Sequence, residues 1–469
     1  MKIVVCIRQG LDGEINPFDA SAYETALQIK DAEITLLSMG PSSAEGLLLK
    51  LTRLGAEKAI LLSDKGFAGA DTLATAYTLS LAINKIRPDL ILCGRQTLVG
   101  DTAQTGPMLS VLSGYSLITN VMAVKSIEEN KITCDTREEG EKTASLPALV
   151  TLERINNLRL PRLGSKLGVC ETWDANYLKA DLSKCGLTGS PTRVIKTFEN
   201  ASGRRKCRFV KANDLKDIIE KALNEQKHLA AEDSSGGKRL KKVLSVGKAP
   251  LEYADSVCEN VKIIDSKEES EIISFIKSED PDAVIWGSDP WSKRTSARVA
   301  AVMGLGLCAD CTSLETDGEI LYMIRPALGG SIIAKIKSVT RPAMATVRTT
   351  ENGTADILVA AGYGVKDSID KVKLFAKSLS ADLVATRKMV DNNFLPYDLQ
   401  VGLTGKSVSP SVYIALGVSG AVHHIVGIER SGTIIAVNPQ KDAPIFDYAD
   451  YGIISDLEEF LNNIKGEVL

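Results

Sequence analysis

The sequence predicts an α/β protein built from doubly wound parallel sheets, and three observations carry that prediction. Short continuous apolar runs of buried-strand type alternate with amphipathic helical stretches along most of the chain. The runs end in glycine or polar turns, after which a helix starts. A polar segment, KHLAAEDSSGGKRLKK at 227–242, has no apolar period and divides the alternating pattern in two.

The elements follow in order. Residues 3–7 read as a buried parallel strand, 20–30 as a helix, and 33–38 as a strand ending at Gly40-Pro41. An amphipathic helix over 44–54 closes at Gly55, and is followed by a strand at 59–62, a helix at 72–85 and a strand at 89–93. This βαβ rhythm requires right-handed crossovers and a sheet covered on both faces. From 168 to 199 the chain is irregular, with 186–198 extended and 213–227 helical. After the linker come strands at 243–247, 261–265 and 283–287, with helices at 251–258 and 268–277. A third alternating unit starts at Asp356, with a strand running into a glycine turn, and runs to a last helix at 456–464.

Composition narrows the function. There are 56 Lys+Arg against 59 Asp+Glu, a net charge of -3, so nothing points to nucleic acid. Only three histidines are present, two of them adjacent, too few for a three-histidine zinc site. Nine cysteines, an odd set scattered through apolar stretches, fit a reducing cytoplasmic setting rather than a secreted disulfide framework. Cys308-Ala-Asp-Cys311 is a lone CxxC, read as buried thiols beside a turn, and no metal is assigned. The opening MKIVVCIRQG has only a five-residue apolar run before Arg8, short for a signal-peptide core. No stretch approaches the roughly 20 apolar residues of a membrane span.

Two regions concentrate groups suited to a nucleotide, which in doubly wound sheets binds beyond the carboxyl ends of the strands. In the first, Gly94-Arg-Gln96-Thr-Leu-Val-Gly100-Asp101-Thr102-Ala-Gln104-Thr105 follows a strand and precedes a helix. It lacks both the Gly-Lys-Ser/Thr ending of a Walker A loop and GxGxxG. Asn16-Pro17-Phe18 and Asp71-Thr72 lie in loops of the same sheet edge, with Cys6 at the end of the first strand. In the second region, 386–456, Val401-Gly402-Leu403-Thr404 is a polar glycine turn, and Ser409-Pro410 reads as an N-cap and first helical residue. Gly417-Val-Ser419-Gly420 opens a short helix carrying Ala421, Val422, His423 and His424. Helical neighbours point about 100° apart, so one histidine of the pair faces a ligand and the other packs. Asn438, after a strand, and Asp456, before the last helix, are placed for a ribose or adenine edge.

Taken together these stretches resemble an electron transfer flavoprotein, with a β-subunit-like part fused ahead of an α-subunit-like part. The similar runs are NPF (16–18), SDKGFAGADTLATAYTL (63–79), GRQTLVGDTAQTGP (94–107) and GLTGSPTRVIKTF (186–198) on the β side. On the α side they are RPALGGSIIAKI (325–336), RPAMATVR (341–348), VGLTGKSVSPSVYIALGVSGAVHH (401–424) and AVNPQKDAPIFDYADYGIISDL (436–457). The resemblance implies three doubly wound domains, two nucleotide-binding-like units plus a carboxyl-terminal FAD domain. Its expected boundaries are 1–226 with a carboxyl-terminal arm, a linker at 227–242, then 243–346 and 356–469.

By similarity, FAD would meet Thr386, Arg387, Val401 to Thr404, Ser419 to His424, Asn438, Asp456 and Leu457. His424 would lie at the flavin pyrimidine carbonyl, Thr404 near N5, Arg387 beside the ring and Ser419 at the pyrophosphate. A cationic or hydrogen-bonding His424 would stabilise negative charge gained by the flavin. The sequence departs from the family at Tyr363, where arginine is usual, at Leu403, where glutamine is usual, and at Val99, often an acid. The β-like site would hold either AMP or a second FAD, the latter marking NADH-oxidising, electron-bifurcating members. Implied partners are dehydrogenases of the acyl-CoA-dehydrogenase type, as in fatty acid β-oxidation, and a quinone oxidoreductase. The stretch 159–173, with leucines 160, 163 and 167 among basic residues, is suited to dock them, and the segment 347–356 would let the FAD domain swivel. A non-redox adenine-nucleotide module is the rival from another class; flavin colour separates the two.

Overall fold

The computed structural model describes residues 1–10, 12–97, 100–199, 204–225, 238–328, 332–349, 356–402 and 405–464. Most of the linker at 227–242 and of the segment 347–356, with Val99, Leu403 and Thr404, therefore lies outside the described residues. The described residues fall into two compact units, one drawn from 1–197, 236–328 and 334–347, the other from 198–235, 329–333 and 348–469.

The first unit begins with β1 (Lys2–Cys6), β2 (Glu33–Met39), β3 (Lys58–Leu62) and β4 (Leu90–Gly94). It continues with β5 (Ser116–Glu128), β6 (Lys131–Thr136), β7 (Gly140–Ser145), β8 (Ala148–Leu152) and β9 (Val169–Trp173). These nine strands form one sheet in the order β7-β6-β5-β8-β4-β1-β2-β3-β9. From β9 to β5 the pairings are parallel, and β5, β6 and β7 add two antiparallel pairs at the end. The central strands are apolar runs because helices cover both their faces: KAILL and LILCG are almost wholly buried. The chain leaves β1 toward β2 on one side and returns to pair β4 on the other, with Cys6 opposite Cys93. That reversal opens a crevice beyond the carboxyl ends of β1 and β4.

Next along the chain are β10 (Thr192–Glu199) and, in the second unit, β11 (Arg208–Phe209). A five-stranded sheet is built from β12 (Val243–Val246), β13 (Val261–Ile264), β14 (Ala283–Trp286), β15 (Leu307–Cys311) and, later in the chain, β19. β16 (Ser313–Thr316), β17 (Leu321–Ala327) and β18 (Ile332–Ser338) join β10 in a four-stranded sheet, and β19 is Ala343–Val347. One apolar cluster runs from Val4, Leu37 and Ile60 through Met108 and Leu109, then Ala297 and Ala300, to Val284 and Met344. The five-stranded and nine-stranded sheets therefore share a core, through helices Thr105–Ser113 and Pro290–Met303.

The second unit holds β20 (Ile357–Ala361), β21 (Asp382–Ala385), β22 (Val412–Leu416), β23 (Thr433–Val437) and β24 (Tyr451–Ile453). With β11 they form a parallel sheet, order β11-β24-β23-β22-β20-β21. The arm that follows the first unit's sheets belongs here. β11 pairs with β24, and helix Leu215–Glu225 buries Leu215, Ile219 and Ala222 against Val359, Phe375 and Phe460. Arg205 fixes the arm, donating from Nη1 to Gly432 O at 2.6 Å and from Nη2 to Ser431 O at 2.6 Å, with Asp450 as its ion partner.

Several parallel-dominated α/β sheets are as the sequence predicts; three local readings are corrected. No helix starts at Pro410: the run Val412–Leu416 is fully buried and takes the central place between β20 and β23. Burial on both faces outweighs the Ser409-Pro410 capping signal there. Within the stretch read as irregular, 169–173 pairs with β3 as a strand. Cys308 and Cys311 are buried as expected, within strand β15 instead of beside a turn. Among the described residues no helix is long and apolar enough to cross a membrane.

Candidate functional site

In the first unit the crevice between β1 and β4 contains a cavity of about 100 Å³ lined by Cys6, Asp19, Gly94, Gln96, Thr102 and Gln104, among others. Asp71 caps helix Thr72–Ile86, its Oδ1 accepting from Leu73 and Ala74 N–H at 3.1 and 3.0 Å. Its Oδ2 accepts from Thr192 N at 2.9 Å and Thr192 Oγ1 at 2.7 Å, so Asp71 is spent on the scaffold. Beside it, Thr72 Oγ1 donates to Gln104 Oε1 at 3.1 Å, and Asn16 Nδ2 donates to Gln96 O at 3.0 Å. Three buried polar atoms remain without a hydrogen-bond partner among the described residues: Asn16 Oδ1, Gln96 Nε2 and Gln104 Nε2. Such atoms are costly to bury unpaired, and two amide donors and an acceptor match the phosphate and base groups of a nucleotide. Asn16, Gln96, Gly100 to Thr102, Gln104 and Thr105, with Thr72, thus converge on one edge, while Pro17 and Phe18 start the helix below it.

Two residues at this edge were not singled out from sequence. Asp19 Oδ2 accepts from Arg8 N at 2.8 Å and Oδ1 from Gly94 N at 3.0 Å, tying together the ends of β1 and β4. Burial pushes its carboxyl up to about 7, against the lowering effect of those hydrogen bonds and of Arg8. In sequence it reads only as an acid in the first turn of a helix. Arg325, buried on β17, donates from Nη2 to Gly100 O at 3.0 Å and Asp101 O at 3.2 Å. It steadies a loop in which Asp101 and Ala103 have φ of 51° and 55°. A charged residue inside the strand run LYMIRPA was the available signal. Cys6 is half-buried, its thiol pushed up to about 12 by burial and by Asp19, so it acts as an apolar group.

In the second unit the reversal lies between β20 and β22, whose last residues Ala361 and Leu416 pair. Gly362 follows directly, and a Cβ there would stand 2.2 Å from Gly417 O, so two backbone turns touch at the crevice. Gly420, at φ 89°, brings its backbone against Ile445 N in the same way. Every described position expected to meet FAD sits at the carboxyl edge of this sheet. Thr386 and Arg387 follow β21, Ser419 to His424 follow β22, Asn438 follows β23, and Asp456 and Leu457 follow β24. Val401 and Gly402 join them through the bridge pairing Gln400 with Ala385, the last residue of β21, and the Val401 N–H donating to Ala385 O at 2.9 Å.

The side chains divide by role. Thr386 Oγ1 is buried without a protein hydrogen-bond partner among the described residues, and Ser419 is exposed. Arg387 is half-buried, with Nε 3.1 Å from Asp391 Oδ2. Asn438 Nδ2 donates to Val418 O at 3.0 Å and its Oδ1 accepts from Gln440 N at 2.9 Å, so it braces the Gly417–Gly420 turn. Asp456 caps the last helix through Glu459 N at 2.8 Å. The histidine pair splits as the helical geometry requires, with His423 half-buried and His424 buried. His424 Nδ1 lies 3.1 Å from Val401 O and Nε2 2.9 Å from Tyr413 Oη. A carbonyl only accepts, so Nδ1 carries the proton and Nε2 accepts from the tyrosine. Burial pulls this imidazole down to about 4, so of the two forms weighed from sequence, cationic or hydrogen-bonding, the ring is neutral and both its nitrogens are engaged. An orphaned Thr386 hydroxyl, an exposed serine and crowded glycine turns fit the phosphates and ring edges of a dinucleotide. Among the described residues no group of three His, Cys, Asp or Glu could hold a metal ion.

Comparison with known families agrees with this geometry. The electron transfer flavoprotein domain matches residues 3–183 and 269–368, and the electron transfer flavoprotein FAD-binding domain matches 353–429. Protein FixA of Sinorhizobium fredii is 40% identical over 238 residues, 47% of this chain and 81% of the relative. Electron transfer flavoprotein subunit beta of Megasphaera elsdenii is 41% identical over 211 residues, 41% of this chain and 78% of the relative. Electron transfer flavoprotein subunit alpha of Thermoanaerobacterium thermosaccharolyticum is 35% identical over 232 residues, 40% of this chain and 70% of the relative. With a beta-type relative and an alpha-type relative matched by one polypeptide, the chain belongs to the electron transfer flavoprotein family.

Proposed function

We propose that this chain carries electrons from flavoprotein dehydrogenases to an acceptor such as a quinone reductase, through FAD held at the carboxyl edge of the six-stranded sheet. The observation that supports the reading is convergence: loops after β20, β21, β22, β23 and β24 meet at one edge, with Thr386 Oγ1 still unsatisfied there. FAD, when bound, supplies one- and two-electron redox chemistry. Thr386, Ser419 and the amides of Gly420 to Val422 would bind its polar groups, and Arg387 would bring positive charge. Leu403 and Thr404 complete the proposed set from sequence similarity. His424 acts as a positioning residue, holding the Val401 carbonyl beside Gly402.

The first unit's cavity is proposed to take the adenosine-phosphate portion that AMP and FAD share, against Asn16, Gln96 and Gln104. A second FAD there would make the chain an NADH-oxidising, electron-bifurcating flavoprotein; AMP would leave a simple carrier. Partner docking is assigned to the loop before β9, where Leu160, Leu163 and Leu167 are 87%, 105% and 59% exposed. Arg159 anchors the base of that loop on Glu24, Nη2 to Oε1 at 2.6 Å. A cytoplasmic setting is proposed from nine free thiols. Nucleotide release by denaturation, counting FAD and AMP per chain, is the test. One FAD plus one AMP supports the simple carrier, two FAD the bifurcating form, and a colourless protein that FAD cannot reconstitute overturns both.

A further inference from the structure

We propose that Cys308 and Cys311 form a redox-active dithiol that closes reversibly to a disulfide within the five-stranded sheet. β15 pairs in parallel with β19, with Cys308 opposite Ala345 and Cys311 opposite Val347. Ala309 and Asp310 therefore stand against the single residue Thr346, which makes a β-bulge. Asp310 takes up the extra length at φ 52°, its N–H turned to Thr346 Oγ1 at 2.8 Å.

In an unbulged strand, residues three apart face opposite sides of the sheet. Here three steps of β15 advance only two steps of β19, and a two-step advance returns to the same side. Both cysteines accordingly lie in one apolar cluster, with Val243, Ala283 and Leu321. Two steps at ~3.3 Å per residue set their Cα atoms about 6.6 Å apart, within the roughly 4.4 to 6.8 Å that a disulfide spans. The Cys311 thiol donates to Cys308 O at 3.8 Å; its closeness to the Cys308 sulfur and the nearby Arg325 charge lower Cys308, while burial raises Cys311. That asymmetry gives an attacking and a resolving sulfur. Cys134 shows the contrast, a buried thiol pushed up to about 12 by burial alone.

Exposures of 3% and 0% restrict the oxidant to a small molecule, and a hydroperoxide fits. The Cys308 sulfur takes the distal oxygen, forming a sulfenic acid and releasing one water. Cys311 then attacks that sulfur, forming the S–S bond and releasing a second water. The two thiols lose two electrons and two protons as hydrogen peroxide becomes two waters.

The full-length protein is treated with hydrogen peroxide, quenched, denatured, alkylated with iodoacetamide and digested with trypsin. The peptide 299–335 contains no other cysteine. The expected result is that this peptide becomes two hydrogens lighter, escapes alkylation and is restored by dithiothreitol, while Cys134 still alkylates fully. Cys308→Ser abolishes the mass loss. The proposal is overturned when Cys308 and Cys311 alkylate as in untreated protein, or reach only singly oxidised acids, at doses that oxidise the half-buried Cys170 and Cys207. This readout on the unmodified chain does not depend on any variant folding or on which nucleotide is bound.

Discussion

Tyr413 Oη donates to Nε2 of His424 at 2.9 Å, and the proton on the opposite ring nitrogen goes to the Val401 carbonyl. Both side chains are buried, and burial holds the histidine neutral even though the Val401 hydrogen bond favours its charged form. The folded imidazole titrates near 4, below its usual 6.5, so between those values the unfolded chain binds the extra proton. Stability of the second unit is therefore fully present above pH 6.5 and falls as pH drops toward 4, by an upper bound on the order of 3 kcal/mol. Hydrogen exchange of the β22 amides against pH checks this, and His424→Gln should flatten the profile. Tyr413→Phe should cost about 1 to 3 kcal/mol by leaving Nε2 unpaired.

Asp19 has the opposite sign. Its carboxyl is raised to about 7 from 3.8, so the folded state binds the extra proton between those values and the first unit loses stability as pH rises through that window. Asp19→Ala leaves the Arg8 and Gly94 amides unpaired, at roughly 1 to 3 kcal/mol. The expected outcome is faster exchange at the ends of β1 and β4 and loss of their pH dependence in that window; a variant that keeps the wild-type pH profile refutes the assignment.

Gly362→Ala places a methyl 2.2 Å from Gly417 O, backbone against backbone. A clash of this kind should open the β20–β22 crevice and lower FAD content per chain several-fold. Gly46→Ala, with nothing within 4 Å, serves as the matched control and should leave flavin content unchanged.

Arg325→Lys removes the guanidinium that reaches two carbonyls of the Gly100–Asp101 loop from one nitrogen. Nucleotide released from the first unit should fall, while binding in the FAD-binding domain stays intact. Equilibrium dialysis with AMP and with FAD measures both.

Leu163→Ala should leave melting within about 0.5 kcal/mol of wild type, since its side chain is fully exposed. The rate of electron transfer from an acyl-CoA-dehydrogenase-like partner should drop. An unaltered rate moves the docking site elsewhere.

Much of this was legible in the amino-acid sequence because the local signals agreed. Apolar runs such as KAILL and ILVAA read as strands buried on both faces, and the polar glycine loops that follow them mark the carboxyl edge where both candidate sites lie. The hairpins of β5, β6 and β7 were missed because Gly140–Ser145 is almost wholly exposed, and its polar residues carry no alternating apolar signal.

What the sequence by itself determined is the alternation of strands and helices along most of the chain, the family, and the two stretches rich in ligand-binding groups. Tertiary structure alone decided the partners. It sends the arm 204–225 into the second unit, where Arg205 bonds Gly432 from 227 positions away. It turns His424 inward and neutral and spends Asp71 and Asn438 on the scaffold. It brings Cys308 and Cys311 to one face through a bulge that pairing with β19 creates. Periodicity and capping act between residues a few positions apart, whereas register, burial and charge pairing depend on which distant segment packs alongside.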